Sequence, residues 1–212
     1  MYYSTLFFDL DDTLYPADSG LWSQIRDRIG LYMLEQLNIP RVQVQPLRKQ
    51  LFEEYGTTLR GLQENYQVDV ADFLAFVHDV PVANYIHPDP LLRQVLLSLP
   101  ARKFIFTNAD VPHARRVLGA LQLEDCFEAI IDVVAIDPYC KPMPEAFSIA
   151  LKTAGESNPA RCVMLDDIPR TTRAARQLGM YAILWGRDES HPDADATLQD
   201  WSGLADLLMM RQ

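Results

Sequence analysis

The sequence predicts an α/β fold in which a parallel five-stranded sheet has helices on both faces and a helical cap follows the first strand. Five short apolar runs, rich in β-branched and aromatic residues, are typical of buried strands. Segments of helical periodicity separate these runs, as parallel strands require. Residues 15–86 contain helical patterns only. We therefore expect an α/β core, residues 1–14 and 87–212, and a helical cap, residues 15–86.

The patterns place each element along the chain. In order, the predicted strands are TLFFDL, KFIFTN, EAIIDVV, CVMLDD and YAILWG. The expected cap helices cover residues 21–37, 44–55, 58–66 and 70–80, and the expected core helices cover residues 88–99, 111–121, 144–154 and 169–178. Leu204, Leu207 and Leu208 have helical spacing and predict a last packed helix.

Charge and composition exclude several classes of protein. A net charge of −10 disfavours general binding to a nucleic-acid backbone, so any phosphate must meet a local positive site. No apolar run reaches the length of a membrane span, and Asp9 ends the first run too early for a signal peptide. Cys126, Cys140 and Cys162 suit neither a disulfide framework nor a zinc site, which indicates reduced, mostly buried thiols. We expect a cytoplasmic enzyme without nucleic-acid or membrane partners.

Three carboxylates, Asp9, Asp11 and Asp12, lie within four residues at the end of the first predicted strand. Like charges this close raise one another's pKa unless a cation or a proton lies among them. The two-residue period of a strand sends Asp9 and Asp11 to one side, while Leu10 packs away. The stretch therefore predicts a site that holds a cation.

Polar side chains also follow three other predicted strands. Thr107 and Asn108 end the second strand, Lys141 follows the third in the loop YCKPMPE, and Asp166 and Asp167 end the fourth. In open α/β sheets, the carboxyl ends of the strands face the crevice where ligands bind. We therefore expect these side chains to lie near the carboxylates of the first strand.

The residue types predict a metal and a phosphate at this edge of the sheet. Mg²⁺ prefers oxygen ligands, so Asp9 and a carboxylate from Asp166 or Asp167 would hold it and stay ionised. A phosphate on that metal needs further donors. Thr107, Asn108 and Lys141 supply a hydroxyl, an amide and an ammonium of the right kinds.

Asp9 and Asp11 have the chemistry of a nucleophile and an acid/base. Asp9 would attack phosphorus and form an aspartyl phosphate. Asp11 would protonate the leaving oxygen and later deprotonate the attacking water. Mg²⁺ and Lys141 would stabilise charge on the transferring phosphoryl group.

Other interpretations of these residues are simpler. A calcium loop beginning at Asp9 would need glycine at its sixth position and glutamate at its twelfth, where Leu14 and Gly20 stand, so calcium is disfavoured. Asp166 and Asp167 could cap a helix that begins at Pro169, which is compatible with metal binding. No histidine has paired ligand spacing, so four residues are expected at the surface or in the cap without a role: His78, His87, His113 and His191.

Four motifs, "DLDDTLYP", "TNA", "CKPMPE" and "LDD", resemble in this order the motifs of the haloacid dehalogenase (HAD) superfamily of phosphohydrolases. The resemblance implies a Rossmann-like core with a mobile cap that closes over the crevice. Longer stretches, "DLDDTLYPADSGL", "IFTNAD", "LQLEDCF" and "CKP", resemble the pyrimidine 5′-nucleotidase branch over residues 6–186.

The resemblance also implies roles for the acidic residues. Asp9 matches the nucleophile, and Asp11 matches the acid/base that also lends its main-chain carbonyl to the metal. Asp167 matches the direct Mg²⁺ ligand, and Asp166 would stand behind it.

The same resemblance assigns the phosphate ligands. Thr107 and Lys141 match them, and Asn108 follows the matching threonine. The branch has a serine after the paired aspartates and an asparagine three residues later, whereas this chain has Ile168 and Thr171. This departure bears on efficiency and substrate more than on the basic chemistry.

The leading hypothesis is a Mg²⁺-dependent phosphomonoesterase acting on a small soluble phosphate ester, with a pyrimidine nucleoside 5′-monophosphate implied by the resemblance. A sugar-phosphate or phosphoglycolate-type phosphatase or a phosphomutase is the alternative within the superfamily, because a cap sets the leaving group. A non-catalytic binding or regulatory protein is the alternative of a different class. Dehalogenation is disfavoured because it needs no proton donor at Asp11.

Overall fold

The computed structural model describes residues 3–209 and confirms the α/β fold. The strands are β1 (Thr5–Phe8), β2 (Arg102–Phe106), β3 (Ala129–Ile131), β4 (Cys162–Asp166), β5 (Tyr181–Trp185) and β6 (Ala196–Leu198). The helices are α1 (Leu21–Glu35), α2 (Arg41–Tyr55), α3 (Thr58–Tyr66), α4 (Val70–Val77), α5 (Pro90–Ser98), α6 (Val111–Leu121), α7 (Pro144–Thr153), α8 (Pro169–Gln177) and α9 (Leu204–Met209). Helices α1–α4 form the helical insertion between β1 and β2 that the patterns predict.

The strand order places side by side the ends of three strands that are followed by polar residues. The sheet runs β3-β2-β1-β4-β5-β6, and every neighbouring pair is parallel. Strand β1 therefore lies between β2 and β4. The residues that follow these three strands meet at one edge of the sheet, as the sequence predicts.

The prediction of five strands is wrong by one, because the sheet has six strands among residues 3–209. Strand β6 has only three residues, Ala196–Leu198, and its register pairs Ile183 with Ala196. The main-chain N–H of Gly186 also donates to the carbonyl of Leu198 at 2.8 Å. A three-residue edge strand has too short an apolar pattern to be recognised, and it exists because β5 offers it a free edge.

The sheet is buried on both faces, which explains the nearly continuous apolar strands. On one face, Phe7 packs against Phe104 with ring centroids 5.7 Å apart, and Phe106 packs against Phe147 of α7 at 5.3 Å. On the other face, Phe8 belongs to a second buried cluster, which extends into the helical insertion.

The helical insertion shares its packing with the core. Ile25, Met33 and Leu62 of the insertion are buried in the same apolar cluster as Phe8. Side-chain caps start two of its helices: Thr57 accepts a hydrogen bond from the Arg60 N–H at 3.0 Å, and Asp69 caps α4 in the same way. The shared apolar cluster therefore joins the helical insertion to the core.

Several smaller predictions are confirmed. Helix α9 is present, with Leu204 and Leu208 buried. Cys126, Cys140 and Cys162 are buried free thiols. Within residues 3–209, no helix is both long enough and apolar enough to cross a membrane. The cytoplasmic location stays a prediction.

Candidate active site

The carboxyl ends of β1 and β4 bring three carboxylates together. Asp9 follows β1, Asp166 ends β4 and Asp167 comes next, and one oxygen from each lies within 4.8 Å of the others. The main-chain N–H of Asp9 donates to the carbonyl of Leu165 at 2.9 Å, so the sheet ladder fixes the position of Asp9. The predicted acidic cluster is therefore built from two neighbouring strands.

Lys141 lies among these carboxylates. Its ammonium donates to Oδ1 of Asp9 and to Oδ2 of Asp166, both at 2.7 Å, and only 3% of the residue is exposed. Burial alone would lower the pKa of Lys141, but Asp166 and Asp9 outweigh burial and raise that pKa above its usual range. Lys141 is therefore a fixed positive charge in contact with the proposed nucleophile.

One ammonium does not neutralise three clustered carboxylates. Burial raises the pKa of Asp9 to about 7, although Lys141 opposes the rise. Burial, with the added repulsion of Asp9, raises the pKa of Asp167 to about 8. These raised values are what buried like charges produce when no further cation balances them. The residues present therefore suit a divalent cation with oxygen ligands.

Asp12 extends the same acidic group. Its Oδ1 atom is buried without a hydrogen-bond partner among residues 3–209, and its backbone has a positive φ of 58°. Burial, together with the nearby Asp11, raises the pKa of Asp12 to about 6. Asp12 therefore adds to the negative charge at the end of β1.

Asp166 binds both the main chain before α8 and the Lys141 ammonium. Its Oδ1 atom accepts a hydrogen bond from the main-chain N–H of Ile168 at 2.9 Å, while Oδ2 binds Lys141. The residue that precedes α8 is Ile168, and no side chain caps this helix. The capping interpretation of the two aspartates is therefore wrong. Asp166 is fully buried and holds Lys141 in place.

Thr107 and Asn108 lie at the end of β2, in the predicted place. The Thr107 hydroxyl accepts a hydrogen bond from the Ala109 N–H at 3.0 Å. The Asn108 amide oxygen accepts from the main-chain N–H of Lys141 at 2.8 Å, and the amide nitrogen donates to the Lys141 carbonyl at 3.1 Å. Asn108 thus fixes the main chain that carries the lysine, and its contact with phosphate stays a prediction.

Asp11 is held by two side chains. Its Oδ1 atom accepts hydrogen bonds from Tyr15 Oη at 2.7 Å and from His113 Nε2 at 2.8 Å. Burial alone would raise the pKa of Asp11, but the contacts with His113 and Tyr15 outweigh burial and hold the pKa below its usual value. Asp11 is therefore an ionised, positioned carboxylate in this structure.

The expectation of a surface or cap position is wrong for His113, which lies buried in α6, whereas His78 lies in the helical insertion as expected but is buried too. His113 has no exposed surface and His78 is 5% exposed. Their rings stack with centroids 4.3 Å apart, and Nδ1 of His78 lies 2.9 Å from Oδ1 of Asp110. A spacing signal existed, because His113 comes three residues after Asp110, the residue that caps α6 at the carboxyl end of β2. This spacing puts His113 in the first turn of α6, near the end of β1.

A cavity of about 710 Å³ separates the helical insertion from the sheet edge. Six of the seven predicted site residues line it: Asp9, Asp11, Thr107, Asn108, Lys141 and Asp167. Asp166 lies behind them. The two positions that depart from the branch pattern, Ile168 and Thr171, line the cavity as well. Ile168 donates a hydrogen bond to Asp166 through its main-chain N–H, so a serine side chain at this position is not needed for that contact.

The insertion supplies apolar and cationic walls to the cavity. The aromatic side chains are Trp22, Phe52 and Phe73. Arg26 and Arg48 also line it, and Nε of Arg48 is buried without a hydrogen-bond partner among residues 3–209. Burial and the neighbouring Arg26 lower the pKa of Arg48. The arrangement suits a ligand with an apolar body or a negative charge.

The profile of the haloacid dehalogenase-like hydrolase family matches residues 3–179. The chain belongs to this family, which confirms the resemblance that the four motifs indicate.

Comparisons with individual proteins agree. The chain is 29% identical over 192 residues to "Phosphate metabolism protein 8" of Saccharomyces cerevisiae, a match that covers 84% of this chain and 60% of the yeast protein. The chain thus spans less than two thirds of that curated relative.

Solved structures share the fold. A predicted phosphoglycolate phosphatase from Haemophilus somnus is 16% identical to this chain, with a TM-score of 0.68 and 99% of each chain covered. The magnesium-bound HAD-hydrolase YfnB from Bacillus subtilis is 17% identical, with a TM-score of 0.62, and the match covers 98% of this chain and 99% of that chain.

Proposed function

We propose that this protein is a Mg²⁺-dependent phosphomonoesterase that forms an aspartyl phosphate on Asp9. One observation carries the proposal: three distant parts of the chain supply Asp9 with Asp11, Lys141, and Asp167, and all four residues line one cavity. A nucleophile, a proton donor, a cation and a metal ligand are the groups that phosphoryl transfer needs. Membership of a hydrolase family supports the same class of reaction.

The proposed metal ligands are the carboxylates of Asp9 and Asp167 and the main-chain carbonyl of Asp11. The raised pKa values of Asp9, about 7, and Asp167, about 8, support a cation at this place. Bound there, Mg²⁺ would offset negative charge on the phosphoryl oxygens. Asp166 would remain behind the ligands, where it holds the Lys141 ammonium.

Asp9 would attack phosphorus with a carboxylate oxygen. Its Oδ1 atom binds Lys141, and its Oδ2 atom accepts a hydrogen bond from the Thr13 hydroxyl at 3.2 Å, so the side chain is held in one orientation. A bond from Asp9 to phosphorus forms as the bond from phosphorus to the leaving oxygen breaks. Lys141, with Thr107, would bind the phosphoryl oxygens as charge shifts onto the leaving group.

Asp11 would act as the general acid in the first step and as the general base in the second. It takes up a proton when the dianionic phosphate ester binds beside it, because added negative charge favours the protonated carboxyl. Asp11 then gives this proton to the leaving oxygen. In the second step it accepts a proton from water as the water attacks phosphorus. The bond between phosphorus and Asp9 breaks, inorganic phosphate leaves, and Asp11 releases the proton to solvent and returns to its ionised form.

The helical insertion, residues 15–86, would act as a cap that closes over the cavity and contacts the leaving group. The core would then comprise residues 1–14 and 87–212. Contacts across this boundary support a closed arrangement, since the Arg170 guanidinium donates to the carbonyls of Phe52 at 2.8 Å and Gly56 at 2.5 Å. Closure of such a lid excludes water from the reacting groups.

The cavity walls favour two substrate classes. The rings of Trp22, Phe52 and Phe73 suit a flat apolar body, as in a pyrimidine nucleoside 5′-monophosphate. The unpartnered Nε of Arg48 favours a leaving group with a second anion, as in phosphoglycolate or a sugar bisphosphate. A phosphomutase would use the second class of substrate.

A panel of phosphomonoesters with Mg²⁺ tests this function. The protein should release inorganic phosphate from at least one small ester, and Asp9→Asn should abolish release while its circular dichroism stays that of the wild type. If the wild-type protein binds these esters without hydrolysing any of them, it is a binding or regulatory protein. Equal turnover by Asp9→Asn would remove Asp9 from the mechanism.

A further inference from the structure

The hydrogen bonds of Asp11 divide its two carboxylate oxygens into different roles. Tyr15 and His113 both bind Oδ1, at 2.7 and 2.8 Å. No side chain or main-chain donor within residues 3–209 binds Oδ2, although Asp11 lines the cavity. The oxygen that remains available to a substrate is therefore Oδ2. A carboxylate with one oxygen fixed by two donors can rotate little, so the direction of Oδ2 is fixed too.

The surroundings of His113 define where its ring hydrogen lies. The Asp11 carboxylate offers only acceptors when ionised, so Nε2 of His113 must be the donor. Nδ1 of His113 is buried and has no hydrogen-bond partner among the described residues. A hydrogen on Nδ1 would therefore be a buried donor without an acceptor, which is costly. His113 thus carries its hydrogen on Nε2, directed at Asp11.

The ring of His113 is held from the other side by the helical insertion. His78, directly after α4, stacks on His113 with an angle of 17° between the ring planes. Asp110 joins the two residues, because its Oδ1 atom lies 2.9 Å from Nδ1 of His78 and accepts from the His113 N–H at 3.0 Å. The Arg116 guanidinium donates to the His78 carbonyl at 2.6 Å. Asp110, which caps α6, and Arg116 of α6 thus fix His78 over the His113 ring.

We propose that His113 is a positioning residue for Asp11, and that His78 transmits the seating of the helical insertion to Asp11 by packing on the His113 ring. The proposal rests on the proposed function, in which Asp11 protonates the leaving oxygen. When the insertion is seated, the stacked rings hold Oδ2 of Asp11 toward the cavity. When it moves away, His113 loses the support of one ring face and Asp11 is less well oriented.

The test compares two esters that differ in their need for a proton donor. The p-nitrophenolate leaving group departs without protonation, whereas an alkoxide such as that of an alkyl phosphate needs it. We expect His113→Ala to lower kcat/KM for the alkyl ester by about 10²-fold, within the range for general acid catalysis. The loss for p-nitrophenyl phosphate should be less than tenfold. A purely structural defect would lower both values by the same factor.

Three further variants complete the test. His113→Gln should recover part of the alkyl-ester activity, because its amide nitrogen can donate to Asp11 in place of Nε2. His78→Ala should show the same selective loss as His113→Ala, but a smaller one. His87→Ala, at an exposed position outside this cluster, should match the wild type.

Each outcome decides a separate claim. Equal losses on both esters, or no loss in His113→Ala, would overturn the positioning role. A selective loss in His113→Ala with none in His78→Ala would overturn only the role of the insertion. If His113→Ala does not fold, the comparison of the two esters in His113→Phe, which keeps a flat ring beside His78 but has no donor for Asp11, decides in the same way. Failure of the wild type on every ester would reject the proposed function and the positioning role with it.

Discussion

The ammonium of Lys141 lies 2.7 Å from Oδ1 of Asp9, although 132 positions separate the two residues in the chain. Both side chains are buried, with 3% and 11% of their surfaces exposed. A buried ion pair of this kind keeps its geometry, because neither partner can exchange it for water without a large desolvation penalty. The contact therefore fixes the proposed nucleophile before any substrate binds.

Removal of the Lys141 charge should destabilise the fold. Lys141→Met leaves Asp9 and Asp166 without their shared cation, and loss of one partner of a buried pair costs about 3–5 kcal/mol. Urea unfolding should show this loss. Lys49→Met is the matched control, because Lys49 forms only an exposed pair with Glu53 at 3.8 Å, and its effect should stay within about 0.5 kcal/mol. Equal stabilities of the two variants would contradict the structural role of Lys141.

Alanine substitutions at Gly56 and Gly155 distinguish the cost of backbone strain from the cost of a steric clash near the site. Gly56 has φ of +89°, and an added Cβ would lie 2.9 Å from Cys140 Sγ and 3.2 Å from the Lys141 carbonyl oxygen. Gly155 also has a positive φ, +68°, but a Cβ there would meet nothing within 4 Å. Gly155→Ala should cost about 1–2 kcal/mol from strain alone.

Gly56→Ala should cost a further ~1–3 kcal/mol because of overpacking against Cys140. It should also lower kcat, since the clash displaces the loop that carries Lys141, whereas Gly155→Ala should leave kcat unchanged. Thermal unfolding and steady-state kinetics of the two variants measure both effects. A Gly56→Ala protein with the stability and kcat of Gly155→Ala would show that this contact is unimportant.

Arg170 links the helical insertion to α8. Its guanidinium binds the carbonyls of Phe52 and Gly56 and lies 3.7 Å from the centroid of the Phe52 ring. Arg170→Gln should speed amide hydrogen exchange in α2 and α3 by about tenfold, because hydrogen bonds to a charged group contribute roughly 1.5–3 kcal/mol. Arg173→Gln, also on α8, removes only an exposed pair with Asp193 and should leave that exchange unchanged. Identical exchange in both variants would argue against the link.

Mg²⁺ binding should be detectable without any substrate. A ligand at 100 times its Kd stabilises a folded protein by about 2.7 kcal/mol, so Mg²⁺ should raise Tm by several degrees. Asp167→Asn should abolish most of this shift because it removes a proposed ligand. Asp188→Asn, at an exposed position, should keep it. A Tm that does not respond to Mg²⁺ in the wild type would count against the metal site.

The edge of the sheet where the site lies could be predicted from the sequence, because buried parallel strands have a clear pattern of continuous apolar residues. The apolar runs ending at Asp9, Thr107 and Asp166 locate three strand ends, and parallel packing brings such ends together. Lys141 could be added because it follows the third run, in the loop YCKPMPE. The helical insertion was equally clear, since four amphipathic patterns occur without a strand between them.

Other features depend on contacts that no local pattern encodes. The spacing of His113 from Asp110 places it in the first turn of α6, but its contact with Asp11 spans 102 positions, and a single histidine in an amphipathic helix gives no sign of such a partner. The pairing of Asn108 with the Lys141 main chain depends on the conformation of a loop. Strand β6 depends on the free edge of β5. In each case the tertiary contact determines the role of the residue.

The most direct test of the account is to trap the covalent intermediate on Asp9. The protein should be mixed with an excess of a hydrolysed ester and Mg²⁺, quenched in acid and treated with borohydride, which reduces an acyl phosphate to an alcohol. Peptide mass spectrometry should then find homoserine in place of Asp9, and no such change in Asp9→Asn. Sustained hydrolysis with Asp9 unmodified, or with modification at another residue, would contradict the proposal that Asp9 attacks phosphorus.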